Sequence, residues 1–245
     1  MSALEAISTN KKSLVVLIDP DKYFSEDDWL DRVNLFRKYP PDAIFLGGSY
    51  LTNDYSGEII TLLKKTVQIP VIAFPGDFSH IHPQVDGVLV LSLISGRNPE
   101  YLINQHVKHA LSLKNHGAEL LSTGYVLIDG GTSTSVQYVT QTQPIPADET
   151  TLAVATAVAG ELLGLKAIYL EAGSGAKNAV PPEMVHAVKQ QISVPLIVGG
   201  GIRHADTAKV LYEAGADVLV IGNGFENNPN LLQEVGAVRA ALTSY

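Results

Sequence analysis

The sequence predicts an α/β fold, a (β/α)8 TIM barrel whose third helix is missing or replaced by a loop. Three observations carry that expectation. Eight short apolar runs of four to six residues, without period-two alternation, read as parallel strands buried on both faces. Helical patterns separate nearly all of them. The last three runs each end in a glycine turn that feeds a helix: 168–176, 195–202 and 217–224.

The elements follow in order. Ser13 to Asp19 is a β-branched run ending in Asp19-Pro20-Asp21-Lys22. Ser25 and Asp28 form a capping-box pattern before Trp29, Val33 and Phe36, which share one helical face. The second strand runs from Ala43 into Gly47-Gly48-Ser49, and Ile59, Leu62, Leu63 and Thr66 mark its helix. The third strand opens at Val71 and the fourth at Gly87. The segment 78–86 between them has no helical periodicity and contains Pro83, so it has no room for an ordinary crossover helix. Its absence is expected to leave one side of the barrel open.

Asn98-Pro99 reads as a cap followed by proline at the first helical position, with the helix running to Gly117. The fifth strand starts at Leu121, and the polar stretch 130–149 reads as a helix-poor functional lid or interaction surface. Leu152, Thr156, Ala159 and Leu163 form the expected helix before the sixth strand. Helices open at Pro181-Pro182, over Ala205 to Ala214, and at Pro229. LIDPDK (17–22) and LIDGGT (127–132) echo each other weakly across half the chain.

With 245 residues and no linker, the chain is expected to form one domain over 1–245. A net charge of −8 argues against a nucleic-acid footprint, but not against a phosphate held by backbone amides. There is no cysteine, which excludes disulfides, cysteine-based zinc sites and a thiol nucleophile and fits a cytoplasmic home. The N-terminal residues lack a signal-peptide core, and 152–165 is too short to span a bilayer.

Glycine turns let backbone N–H groups converge on an anion, and helix N-termini add partial positive charge. Three in succession fit the phosphate site that barrels build from their last loops. Asp19 ends the first strand at the rim where barrels place chemistry. A hard oxygen ligand for Mg2+ and a hydrogen-bonded Asp-Pro turn both account for it.

LIDPDK (17–22), FLGGS (45–49), the run 123–138, YLEAGSGA (169–176), VGGGIR (198–203) and VIGN (220–223) together resemble the geranylgeranylglyceryl phosphate synthases, a family that includes the heptaprenylglyceryl phosphate enzymes. The match touches nearly every strand end in order. YLEAGSGA and the strand-five run are specific to the family, whereas GGGI is shared by many phosphate-binding barrels. The resemblance implies a prenyltransferase moving a geranylgeranyl or other long prenyl group from its diphosphate to the C3 hydroxyl of sn-glycerol 1-phosphate. The implied cofactor is Mg2+, held by Asp19 and Ser49, and the implied setting is ether-lipid or phospholipid biosynthesis. Glycerol phosphate is then expected at Tyr169, Leu170, Glu171, Ala172, Gly173, Ser174, Gly175, Gly200, Gly201, Gly222 and Asn223. Some members carry lysine two residues before the metal aspartate, where this chain has Leu17, a pattern closer to the second subgroup. A homo-oligomer and at most transient membrane contact accompany the resemblance.

Glu171 and Tyr169 are the candidate catalytic pair, with Glu171 accepting from the attacking hydroxyl as base or orienter. A rim glutamate paired with Lys177 or Arg203, and a core tyrosine, are the plainer readings. Phe74, Phe78 and Tyr125 are the candidate prenyl contacts beside the missing helix, or ordinary rim packing. Lys22 is placed to face the diphosphate or solvent. His80 and His82 read as exposed loop histidines. Two rival functions remain: a sugar-phosphate isomerase-type barrel using Asp19 with Asp129, and a non-catalytic phosphate or lipid-phosphate binding protein.

Overall fold

The structure is a computed structural model that describes residues 3–8, 12–22, 26–48 and 55–243. Eight parallel strands close in sequence order: β1 (Ser13–Ile18), β2 (Ala43–Leu46), β3 (Val71–Ala73), β4 (Gly87–Leu93), β5 (Glu119–Leu127), β6 (Ala167–Glu171), β7 (Leu196–Gly199) and β8 (Val218–Ile221). β1 pairs with β8 to complete the barrel. Both faces of each strand meet apolar surface, because alternate residues belong to two separate layers. Val15, Phe45, Tyr125, Tyr169, Ile197 and Val220 fill the barrel interior. Leu14, Val16, Ile44, Ile168, Leu170 and Val198 pack outward against the helices. Ala3, Ala6 and Ile7, in and just after a short 3-10 turn at Ala3–Ala6, plug the N-terminal end of the interior.

An aspartate just before a strand repeatedly caps the strand before it. Asp42 accepts from the Leu14 N–H, Asp86 from Val71 and Asp217 from Leu196, each at 2.8 Å. Arg239, Lys64 and Lys189 neutralise the three carboxylates in turn. This end of the barrel is therefore built for stability and leaves the opposite rim for chemistry.

The helices are α1 (Glu26–Lys38), α2 (Ser56–Thr66), α3 (Gln105–Asn115), α4 (Ser135–Thr140), α5 (Thr150–Leu162), α6 (Pro182–Lys189), α7 (Ala205–Ala214), α8 (Asn223–Asn227) and α9 (Leu231–Thr243). Trp29, Val33 and Phe36 form the buried face of α1 as expected. Ser25, of the expected capping pair, lies outside the described residues. The β3–β4 crossover holds only a 3-10 turn, Phe78–His80, in which Asp77 accepts from the Ser79 N–H at 2.7 Å. The third helix is indeed replaced by a loop.

Three local expectations are corrected. The helix after Asn98-Pro99 begins as a π-helical turn, Glu100–Asn104, with Asn98 Oδ1 accepting from the Glu100 N–H at 3.0 Å. The stretch 130–149 contains α4, started by a Thr134 cap and stopped by Gln141 at φ 54°. A helix follows β8 at Asn223, before the one that follows Pro229. The expected helix before β6 is α5, and it packs through Ala153, Ala157 and Gly160. A Cβ on Gly160 would stand 2.7 Å from Ile94 Cδ1, so small residues let this helix sit against the sheet while Leu152 and Leu163 face out.

Candidate active site

The C-terminal rim carries two compartments that meet. The first is a polar pocket of about 970 Å³, open to solvent, formed by the ends of β1, β2, β6, β7 and β8. Tyr169, Glu171, Gly173, Ser174, Gly175, Gly200, Gly201, Gly222 and Asn223 line it together with Asp19. Leu170 and Ala172 do not line it. Strand alternation turns their side chains into the barrel–helix layer, which corrects their placement as pocket contacts. Ser174 Oγ and Asn223 Oδ1, 3.0 Å apart, bridge the first and third glycine turns.

Glycine is required where these turns crowd each other. Gly200 has φ 81°, and a Cβ there would lie 2.5 Å from Glu171 Oε1 and 2.7 Å from the Gly173 nitrogen. Gly173 has φ 97° and would drive a Cβ to 2.2 Å from Thr134 Cγ2.

Glu171 is 6% exposed, and its Oε1 accepts from the Gly173 N–H at 2.7 Å. Burial raises its pKa to about 7, although Tyr169 and the Gly173 amide favour the charged form. It pairs with neither Lys177 nor Arg203. Arg203 reaches instead the carbonyl oxygens of residues 175–177. The Tyr169 side chain is fully buried and its hydroxyl has no partner at hydrogen-bond geometry, yet it lies close enough to Glu171 for each to influence the other's ionisation. Burial first, and the Glu171 charge second, push that hydroxyl well above the ordinary tyrosine range. An unpartnered buried hydroxyl beside a near-neutral carboxyl suits a site awaiting a hydroxylated ligand.

Asp19 Oδ1 accepts from the Asp21 N–H at 3.1 Å, and Oδ2 lies 3.9 Å from Lys22 Nζ. Partial burial raises the Asp19 pKa, opposed by the Asp21 amide and by Lys22. Lys22 also binds Glu226 at 2.8 Å, and both side chains line the pocket, that of Lys22 remaining 40% exposed. Ser49 lies outside the described residues. Among those described, no three His, Cys, Asp or Glu side chains converge on a metal position. Asp19, partly buried in the pocket lining, is an oxygen ligand of the kind Mg2+ takes, the rest of that ion's shell being water and phosphate oxygens.

The second compartment is an apolar groove of about 620 Å³ beside the missing helix. Phe74, Phe78 and Tyr125 line it, as expected, with Leu91, Leu93, Tyr101, Gln105, Val136 and Val139. Gly48, Phe74, Tyr125 and Val136 border both compartments. The Phe74, Tyr125 and Tyr169 rings cluster at this junction with centroids 5.4 to 6.2 Å apart.

Residues the sequence reading left out include Glu226 and Ser135 in the pocket, and Tyr101 and Gln105 in the groove. The last two are four apart on one helical face, a signal present but indistinguishable from core packing. Asp129 is exposed, accepts from the Gly131 N–H at 2.8 Å and does not line the pocket. The Asp19–Asp129 acid/base pair needed by an isomerase is therefore not assembled. His82 is half-buried, not exposed, and its Nδ1 accepts from the Gln84 N–H.

The model of the PcrB family matches residues 7–240. The geranylgeranylglyceryl phosphate synthase of Chitinophaga pinensis is 46% identical over 231 residues, covering 94% of this chain and 91% of its own. That of Pyrococcus abyssi is 37% identical over 229 residues, 93% of this chain and 89% of its own. Among solved structures, (S)-3-O-geranylgeranylglyceryl phosphate synthase from Thermoplasma acidophilum, in complex with sn-glycerol-1-phosphate, superposes with a TM-score of 0.87. It is 31% identical, with 99% of this chain and 97% of that chain covered.

Proposed function

The chain belongs to the PcrB family, and from that premise we propose that it is a prenyltransferase. It transfers a geranylgeranyl or other long prenyl group from prenyl diphosphate to the C3 hydroxyl of sn-glycerol 1-phosphate, releasing diphosphate for ether-lipid or phospholipid biosynthesis. The observation that carries this reading is the junction itself. A buried carboxyl with a pKa of about 7 lines a glycine-turn pocket that meets an apolar groove.

In this reading the amides of the three glycine turns hold the glycerol phosphate. Glu171 takes the proton of the C3 hydroxyl as its oxygen forms a bond to the prenyl C1. The C1–oxygen bond to diphosphate breaks, and the leaving group departs with the electron pair. Tyr169 orients the hydroxyl. Phe74, Phe78 and Tyr125 hold the tail by burial, at about 0.8 kcal/mol per CH2. Asp19 and Ser49 would hold Mg2+, which when bound would supply positive charge against the departing diphosphate. Leu17 lines the pocket where some relatives would place a lysine, so that contact to the phosphate is absent here.

We treat residues 1–245 as one catalytic domain acting in the cytoplasm. Among the described residues no helix is long and apolar enough to cross a membrane. We place a second copy of the chain against the outer face of α3 and of the π-helical turn that precedes it. Ile103, Val107 and Leu111 recur there at four-residue spacing with 55%, 71% and 76% exposure, an unpartnered apolar stripe.

The test is diphosphate release from geranylgeranyl diphosphate with Mg2+ and either sn-glycerol 1-phosphate or its mirror image. Release only with the 1-phosphate, abolished by chelator and by Asp19→Ala, is expected. Absence of release at every prenyl length, with glycerol phosphate still bound, would hand the site to a binding protein.

A further inference from the structure

The turn after β6 has a hydrogen-bond pattern that leaves few groups free. The Gly173 N–H is taken by Glu171, and the Ala176 N–H by the Gly173 carbonyl at 3.2 Å. The Lys177 and Asn178 N–H groups both go to the Gly130 carbonyl, at 2.9 and 3.0 Å. On its acceptor side, three successive carbonyls converge on one guanidinium. Arg203 Nη1 donates to Lys177 O at 3.0 Å, and Nη2 donates to Ala176 O at 2.5 Å and to Gly175 O at 3.4 Å. The N–H groups of Ser174 and Gly175 carry no hydrogen bond among the described residues, and both residues line the polar pocket.

We propose that Arg203 is a positioning residue that holds the 173–177 turn so that the Ser174 and Gly175 amides face the bound phosphate. This rests on the reading of the pocket as the glycerol phosphate site and adds to it a residue that acts through the turn. The physical reason is dipolar. Three carbonyl oxygens directed at one point repel each other, and a fixed cation removes that repulsion. Gly173 and Gly175 at φ 97° and 77° give the turn the alternating backbone of an anion nest, but glycine is also the residue that most readily leaves such a conformation. Arg203 supplies the constraint that the glycines lack. It comes from the residue just after the second glycine turn, so it also locks the first two cradle segments together. The planar fork matters, because an ammonium cannot span three carbonyls with the same geometry.

The experiment compares wild type, Arg203→Ala and Arg203→Lys without prenyl substrate. Calorimetry measures binding of inorganic phosphate and of sn-glycerol 1-phosphate, and hydrogen exchange follows the 173–178 amides in ligand-free protein. Arg203→Ala is expected to weaken both ligands about tenfold, as loss of hydrogen bonds to a charged group implies. It should also speed exchange of the ligand-free turn by about tenfold or more. In turnover the effect should fall on KM for glycerol phosphate, and Arg203→Lys should lie between the other two. Weakened binding with unchanged exchange would overturn the proposal by making Arg203 a direct ligand contact. Unchanged binding would overturn it by removing any role. Wild-type protein that binds neither anion would overturn the site reading as a whole, a result separable from the other two. Arg203 is exposed, so Arg203→Ala is expected to melt with wild type; if it does not fold, Arg203→Lys carries the same comparison.

Discussion

Replacing Glu171 by glutamine should make the protein more stable at alkaline pH and much slower. The carboxyl is buried, and its pKa rises from 4.5 to about 7 on folding. At about 1.4 kcal/mol per unit of pKa, ionising it in the folded state costs roughly 3 kcal/mol. The folded-state value is the raised one. Its stabilising contribution is therefore complete below about 4.5 and is lost as pH climbs through about 7. Glutamine keeps an oxygen for the Gly173 N–H and never ionises. The variant should match wild type near pH 4.5 and exceed it by up to about 3 kcal/mol near pH 8.5. For a chain of this length that is roughly 6–12 °C in Tm. Turnover at pH 8 should fall by about 10² to 10⁴, the usual worth of a general base. Wild-type kcat/KM should rise with pH up to about 7 and level off above it. The measurements are calorimetric melts at the two pH values and the diphosphate-release assay. A Tm difference independent of pH would refute the buried carboxylate, and unchanged turnover would refute the base.

Gly173→Ala places a Cβ against Thr134 and forces a non-glycine residue to φ 97°, so KM for glycerol phosphate should rise about tenfold or more while circular dichroism stays that of the barrel. Asp217→Ala strips Lys189 of its 2.6 Å partner and leaves the Leu196 N–H unpaired, costing about 3–5 kcal/mol in denaturant titration. Because it lies at the far end of the barrel, kcat/KM should stay within about twofold. Val107→Lys with Leu111→Lys puts two charges on the exposed stripe of α3. Sedimentation is expected to report an oligomer for wild type and a monomer for the double variant, and a monomeric wild type would dismiss that interface.

The barrel was legible because its signals are local. Each strand is a short β-branched run, each of the last three turns needs glycine, and a crossover of nine residues containing Pro83 cannot hold a helix. Glu171 and Asp19 were legible as rim residues for the same reason: a carboxylate ending a parallel strand lands on the chemical face. The packing face of α5 was not, because TTLAVATAVAGEL is small or apolar nearly all round and its period points nowhere. Only the closeness of Ile94 and Ile168 selects the side bearing Gly160.

What the sequence determined by itself is therefore the order of the eight strands and the rim at which Asp19 and Glu171 end theirs. Tertiary structure decided the environments. Strand alternation in a closed barrel sent Leu170 outward and Tyr169 inward, and burial moved the pKa of Glu171 to about 7. Residues far apart in the chain then met: Phe74, Tyr125 and Val136 between the two compartments, and Arg203 under the carbonyls of 175–177. The reason is physical. Period and turn chemistry act over a few residues, whereas desolvation and convergence depend on neighbours that only the closed barrel supplies.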